Sequence, residues 1–161
     1  KGAQGDVVSA VNFNCPGQVV IAGEKEAVAR AVEQCKEAGA KRAVELPVSV
    51  PSHCELMRPA AEKLSQALSQ VDVSLPEIAV VQNVTAKQVE SVEALKENLI
   101  SQLYSPVLWT ETVQGMLDNG AQIAIECGPG KVLCGLNKKV SRALQVVTLA
   151  DQAGFDKALA E

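Results

Sequence analysis

The chain has 161 residues, 47% of them hydrophobic and 21% charged, which is enough apolar content for one core or two small ones and the wrong balance for disorder. A net charge of −4 argues against a general nucleic-acid footprint, and the chain shows neither an apolar run of ~20 residues nor an opening signal-peptide pattern. A cytoplasmic protein with no membrane segment is therefore expected. Aromatic residues make up only 2%, so the core has to be built from Val, Ala, Leu and Ile. The cysteines Cys15, Cys35, Cys54, Cys127 and Cys134 are odd in number and contain no C-x-x-C pair. With a single histidine in the chain, they read as reduced thiols rather than a zinc site.

In chain order, Val7 to Asn14 alternates like a half-buried strand, and Gln18 to Ala22 is a second, Val- and Ile-rich strand. Asn14-Cys15-Pro16-Gly17 between them has turn chemistry, so the pair reads as a hairpin. Glu24 to Ala38 carries Ala27, Val28, Ala31, Val32 and Cys35 on one helical stripe, with Gly39 as its stop. Arg42 to Leu46 reads as a returning strand. Hairpin, helix and strand form most of a ferredoxin-like split unit that lacks its first strand and helix. The chain opens at Lys1 with no initiator methionine and a Gly-containing tail, which reads as a cut within a larger protein.

Beyond this unit, Cys54 to Gln70 has a helical pattern, and Pro59 about a turn in implies a kink or a late start. Ile78 to Val81 is a short apolar run suited to a buried parallel strand. Helices are expected over Val92 to Leu103, broken by Tyr104-Ser105-Pro106, and over Trp109 to Leu117, ended by Asn119-Gly120. Gln122 to Ile125 reads as another buried strand, Lys131 to Val140 as a helix and Val146 to Leu149 as a last strand. A short helix from Asp151 to Ala160, capped by the aspartate, closes the chain. Strands alternating with helices imply an α/β layer for residues 49–161.

The stretch Ser49 to Met57 holds the only histidine, His53, between a strand-like and a helix-like run. A side chain with an ordinary pKa near ~6.5 can take and return a proton at neutral pH, and strand-to-helix junctions often face a cleft. Ser52, with Glu55 three residues on, has capping-box spacing, and Pro51 discourages helix at Val50. A histidine that only packs at a helix start fits the same pattern. Cys54 beside it suggests a Cys–His pair, although sequence neighbours usually point to different sides. Gly128-Pro129-Gly130-Lys131 has part of a phosphate loop, but the Walker pattern needs glycine at Ile125 and Ser or Thr at Val132, so a tight turn is expected. Lys138, Lys139 and Arg142 form a basic cluster that fits a solvated helix end or a contact for an acidic partner. No G-x-S-x-G elbow occurs, and spacing places no carboxylate to orient the ring.

Four segments carry a resemblance. They are Val11 to Gly23 (VNFNCPGQVVIAG), Pro47 to Cys54 (PVSVPSHC), Gln102 to Val107 (QLYSPV) and Glu126 to Leu133 (ECGPGKVL). In order and spacing, the chain resembles the C-terminal half of bacterial malonyl-CoA:acyl carrier protein transacylases. The resemblance implies an α/β fold. Residues 1–48 would be an incomplete ferredoxin-like small subdomain, and residues 49–161 the C-terminal part of an α/β-hydrolase-like large subdomain.

It further implies that a serine on a G-H-S-L-G elbow, outside this chain, attacks the malonyl thioester of coenzyme A and passes the acyl group to the phosphopantetheine thiol of acyl carrier protein. His53 matches the family's catalytic general acid/base, and Gln102 the position whose backbone carbonyl accepts the histidine's other N–H. Asn12 and Asn14 flank a turn that faces the family's cleft; ordering of water or ligand and strand-end packing both fit. Coenzyme A is then substrate, with no cofactor or metal expected, and the partners are malonyl-CoA, acyl carrier protein and the missing N-terminal half. Residues 1–161 by themselves are expected to be inactive. Ser52 stands where malonyl-selective relatives often carry phenylalanine, so malonyl preference rests on overall similarity. Two alternatives remain: a related polyketide-type acyltransferase using another acyl-CoA, and a non-catalytic ferredoxin-like binding module.

Overall fold

The computed structural model describes residues 3–160; the tail residues Lys1 and Gly2, and Glu161, lie outside them. Strand β1 (Val8–Cys15) pairs antiparallel with β2 (Gln18–Gly23), with bulges after Ala10 and Phe13. Gly17 at φ +77° turns the hairpin in the left-handed region where glycine pays no steric penalty. Helix α1 (Lys25–Glu37) follows and buries Ala27. Gly23 cannot be replaced at this corner without movement, because a Cβ there would lie 2.0 Å from the Val7 carbonyl oxygen.

Arg42 to Leu46, expected as a strand, is irregular and exposed: Val44 is 55% and Leu46 50% accessible. Ile78 to Val81 is likewise not a strand, and Ile78 is 82% accessible rather than buried. The cause is shared. A strand exists only when its backbone groups pair with a neighbour, and neither segment meets one among the described residues.

The expected helix from Cys54 begins late. A 3₁₀ turn over Glu55–Met57 leads into α2 (Arg58–Leu68), with Pro59 in its first turn, where a missing N–H costs nothing. The expected Ser52 cap does not form. Cys54 holds the N-cap position without a side-chain capping bond, and the Glu55 carboxylate pairs with Arg58 instead. Helix α3 (Val92–Ser101) is capped by Ser91, whose Oγ accepts the Ala94 N–H at 3.1 Å, and ends with Gln102 as its C-cap. Lys96 on α3 donates from Nζ to the Leu68 and Val71 carbonyls at the end of α2, supplying donors that a helix C-terminus lacks.

Helix α4 (Trp109–Asp118) ends at Gly120, φ +86°. Strand β3 (Ile123–Glu126), helix α5 (Val132–Val140) and strand β4 (Gln145–Thr148) form a β-α-β unit with β3 and β4 parallel in register. Strand β3, read as buried, presents Ile123 and Ile125 at 40% and 46% accessibility, because no layer covers that face among the described residues. Helix α6 (Gln152–Leu159) is capped by Asp151, as its sequence indicates. Its Gly154 lies so close to β4 that a Cβ would come within 1.9 Å of the Thr148 carbonyl oxygen.

The described residues thus form a mixed α/β structure with two two-stranded sheets. Its core runs through Val11, Ala27, Val113, Leu136, Leu144 and Val147 together with the buried thiols of Cys15, Cys54 and Cys134. The total accessible surface, 10652 Å², exceeds the ~7,700 Å² typical of a compact monomer of 16.9 kDa. Among the described residues no helix is long and apolar enough to cross a membrane.

Candidate active site

His53 sits where the irregular 42–50 segment turns into the 3₁₀ entry of α2. Its φ of +66° is left-handed, a conformation costing a non-glycine residue roughly 1–3 kcal/mol unless its surroundings enforce it. Here they do. The His53 N–H donates to the Leu103 carbonyl at 2.9 Å, Ser52 N–H to Val50 at 2.8 Å, and Met57 N–H to Cys54 at 2.9 Å. The Cys54 thiol, 1% accessible, donates to the Pro51 carbonyl at 3.2 Å. That thiol is a buried structural donor inside the turn, which weakens the Cys–His reading.

The imidazole is half-buried, and its Nδ1 lies 2.7 Å from the backbone oxygen of Gln102. A carbonyl oxygen can only accept. Nδ1 therefore carries a proton, and in the neutral ring Nε2 keeps the free lone pair. The two residues named at the outset are thus in direct contact. Gln102 contributes its main chain, so nothing about its side chain could have marked it in the sequence; the resemblance alone did.

The residues after Gln102 tie this turn to the hairpin. Val107 N–H donates to the Val11 carbonyl at 2.8 Å, and the Val107 carbonyl accepts from Phe13 N–H at 2.9 Å, adding a short parallel bridge beside β1 at Asn12. Leu108 N–H donates to Asn83 at 2.9 Å, and the Thr110 hydroxyl to the Phe13 carbonyl at 3.0 Å. Asn12 and Asn14 are half-buried on the strand beside this bridge. Two residues that spacing did not mark also border the site: the Arg58 guanidinium lies 4.1 Å from the centroid of the Tyr104 ring. Glu55, foremost through its hydrogen bond, raises the Arg58 pKa above its already high ordinary value.

The Gly128-Pro129-Gly130 turn does not present a free phosphate cradle. The Glu126 carboxylate accepts the N–H groups of Leu133 at 3.0 Å and Cys134 at 2.7 Å, occupying donors of the α5 N-terminus that an anion would need. Lys138, Lys139 and Arg142 are exposed, and Lys139 Nζ donates to Gln18 Oε1 at 3.2 Å. No cluster of potential metal ligands occurs among the described residues.

Comparison with known proteins decides the family. The family model described as "Acyl transferase domain" matches residues 1–154. The chain belongs to the acyl transferase domain family. It is 54% identical over 156 residues to the malonyl CoA-acyl carrier protein transacylase of Haemophilus influenzae, covering 97% of this chain and 50% of that protein. Among solved acyltransferases, an acyl carrier protein S-malonyltransferase from Vibrio cholerae O1 biovar eltor superposes with a TM-score of 0.94 at 54% identity, covering 98% of this chain and 51% of that one. A malonyl-transacylase solved in complex with a type II polyketide acyl carrier protein gives 0.96 at 52% identity, again covering 98% and 51%. The chain therefore spans about half the length of these acyltransferases. The family match also favours the acyltransferase reading over a binding module without catalysis.

Proposed function

We propose that this chain supplies the general acid/base of a malonyl-CoA:acyl carrier protein transacylase, with His53 in that role and the Gln102 carbonyl fixing its tautomer. The observation that supports this reading is the 2.7 Å contact between Nδ1 and the Gln102 oxygen in a member of the acyl transferase family. With its proton held on Nδ1, the ring offers Nε2 to a serine hydroxyl on the part of the enzyme outside this chain. Serine Oγ attacks the malonyl thioester carbonyl while its proton moves to Nε2. The C–S bond breaks, and the coenzyme A thiolate leaves with that proton as thiol. In the second half-reaction Nε2 takes the proton of the phosphopantetheine thiol, and the sulfur displaces serine, which is reprotonated.

On this reading residues 1–48 belong to a ferredoxin-like subdomain and residues 49–161 to an α/β-hydrolase-like one. The exposed Ile123, Ile125 and Ile78 are surfaces that the rest of such an enzyme would cover. Coenzyme A is substrate, no cofactor takes part, and the enzyme works in the cytoplasm with acyl carrier protein as its acceptor. The relative bound to a polyketide carrier protein favours a second reading, in which the acceptor belongs to polyketide synthesis.

The test is acyl transfer by the intact enzyme from labelled malonyl- and methylmalonyl-CoA to carrier proteins of both pathways. His53→Ala should lower transfer ~10²–10⁴-fold, the usual effect of losing a general base. Undiminished transfer would remove His53 from the chemistry, and preferential loading of methylmalonyl would replace malonyl as the acyl unit.

A further inference from the structure

We propose that the stack of Arg58 on Tyr104 is a positioning device for His53, clamping the Gln102 carbonyl at hydrogen-bonding distance from the imidazole. This deepens the acyl-transfer reading and rests on it for its kinetic consequence. The His53–Gln102 bond joins residues 49 apart in sequence, and both ends lie on irregular backbone: a left-handed turn and the C-cap of α3. Apart from that bond, the described hydrogen bonds between the two stretches reduce to His53 N–H to Leu103 at 2.9 Å. A third attachment is needed to stop the stretches from pivoting about this pair.

Arg58 and Tyr104 supply it. Arg58 opens α2, the helix that the His53 turn leads into, and Tyr104 stands two residues beyond Gln102. The guanidinium lies 4.1 Å from the ring centroid, well inside the range of a cation–π contact. Glu55 orients the cation: its carboxylate accepts from Arg58 Nε and, at 3.0 Å, from Nη2. A guanidinium held flat by a two-point fork presents its face to the ring. The same fork already neutralises Arg58, which argues against a role in holding an anionic substrate. The Arg58 side chain is 53% accessible, so the contact is weak as a stability element. Its value is geometric, because a small displacement of a hydrogen-bond acceptor matters more to a proton relay than to folding.

The experiment uses the intact enzyme. Arg58→Met and Tyr104→Leu should each lower kcat roughly ten-fold with KM for the acyl-CoA nearly unchanged. Tyr104→Phe, which keeps the ring face, should recover most of that loss, whereas Arg58→Lys, which keeps the charge but not the planar fork, should recover little of it. The double variant should be little worse than either single one. In parallel, nitrogen-15 NMR of the His53 ring, assigned with His53→Ala, should show protonation shifting away from Nδ1 in the two disruptive variants. Unchanged kcat with the proton still on Nδ1, additive losses, or a rise in KM at constant kcat would each overturn the proposal. Should Arg58→Met lower the melting temperature, the Tyr104→Leu and Tyr104→Phe pair decides. If His53→Ala leaves transfer intact, the catalytic reading fails, and the ring spectrum still decides whether the stack positions the imidazole.

Discussion

The turn that carries His53 and the Val- and Ala-rich stretches over residues 42–50 and 76–81 all lack regular strand structure, yet they end in opposite states. In the turn, even a left-handed backbone is held, because Leu103, Gln102 and Pro51 accept from His53 and Cys54 across short distances. In the other two stretches Val44, Val48 and Ile78 stand at 55%, 68% and 82% accessibility, and no ladder forms. A turn or helix end satisfies its polar groups with a few nearby acceptors. A strand must borrow its partner from elsewhere, and apolar composition does not supply one.

The contrast can be broken or sharpened by substitution, beginning with the well-packed side. Gly154→Ala should destabilise the protein by roughly 1–3 kcal/mol, because the new methyl would press into the Thr148 carbonyl at the end of β4. Urea denaturation measures this, and an unchanged midpoint would mean that α6 shifts freely. On the exposed side, Ile78→Ser in the 161-residue chain should alter stability by no more than about 0.5 kcal/mol. A distinctly larger loss for the same substitution in a full-length enzyme would show that further chain packs on that surface.

The smallest effect concerns acid. The Asp151 carboxyl is held below the usual carboxylate range, first by the Gly154 N–H and then by Lys131. A depressed folded pKa contributes stability above the ordinary aspartate value of about 3.9, and that contribution is lost as the pH falls through the lower folded value. Asp151→Asn keeps an N-capping acceptor without the charge. Melting curves from about pH 6 down to about pH 2, on either side of the ~3.9 aspartate reference, should therefore fall less steeply for this variant. Parallel curves would show that the cap does not titrate with folding.

Much of the fold was legible because its signals are local. Pro16-Gly17 fixed the hairpin turn, Gly39 and Gly120 the ends of α1 and α4, and Asp151 the start of α6. Pro59 correctly implied an interrupted start, though the sequence pattern could not choose between kink and late entry. The capping-box reading at Ser52 failed because Cys54 takes the N-cap position and the Glu55 carboxylate pairs with Arg58 instead, a guanidinium being a stronger partner for a carboxylate than a backbone N–H. At the site, one member of the pair was visible in the residues themselves. His53 is the only histidine, and its place at a junction marks it. Gln102 acts through a main-chain oxygen, which every residue type possesses, so only resemblance could name it.

The sequence by itself determined the helices, the hairpin, the β-α-β order and the histidine, since each is encoded by periodicity, turn chemistry or residue identity within a short window. Only the tertiary structure decided which apolar runs become strands, that His53 takes a left-handed backbone, and that Nδ1 meets a carbonyl 49 positions away. Those features depend on backbone groups finding partners remote in the chain, and a backbone amide looks the same in every residue until the fold brings its partner to it.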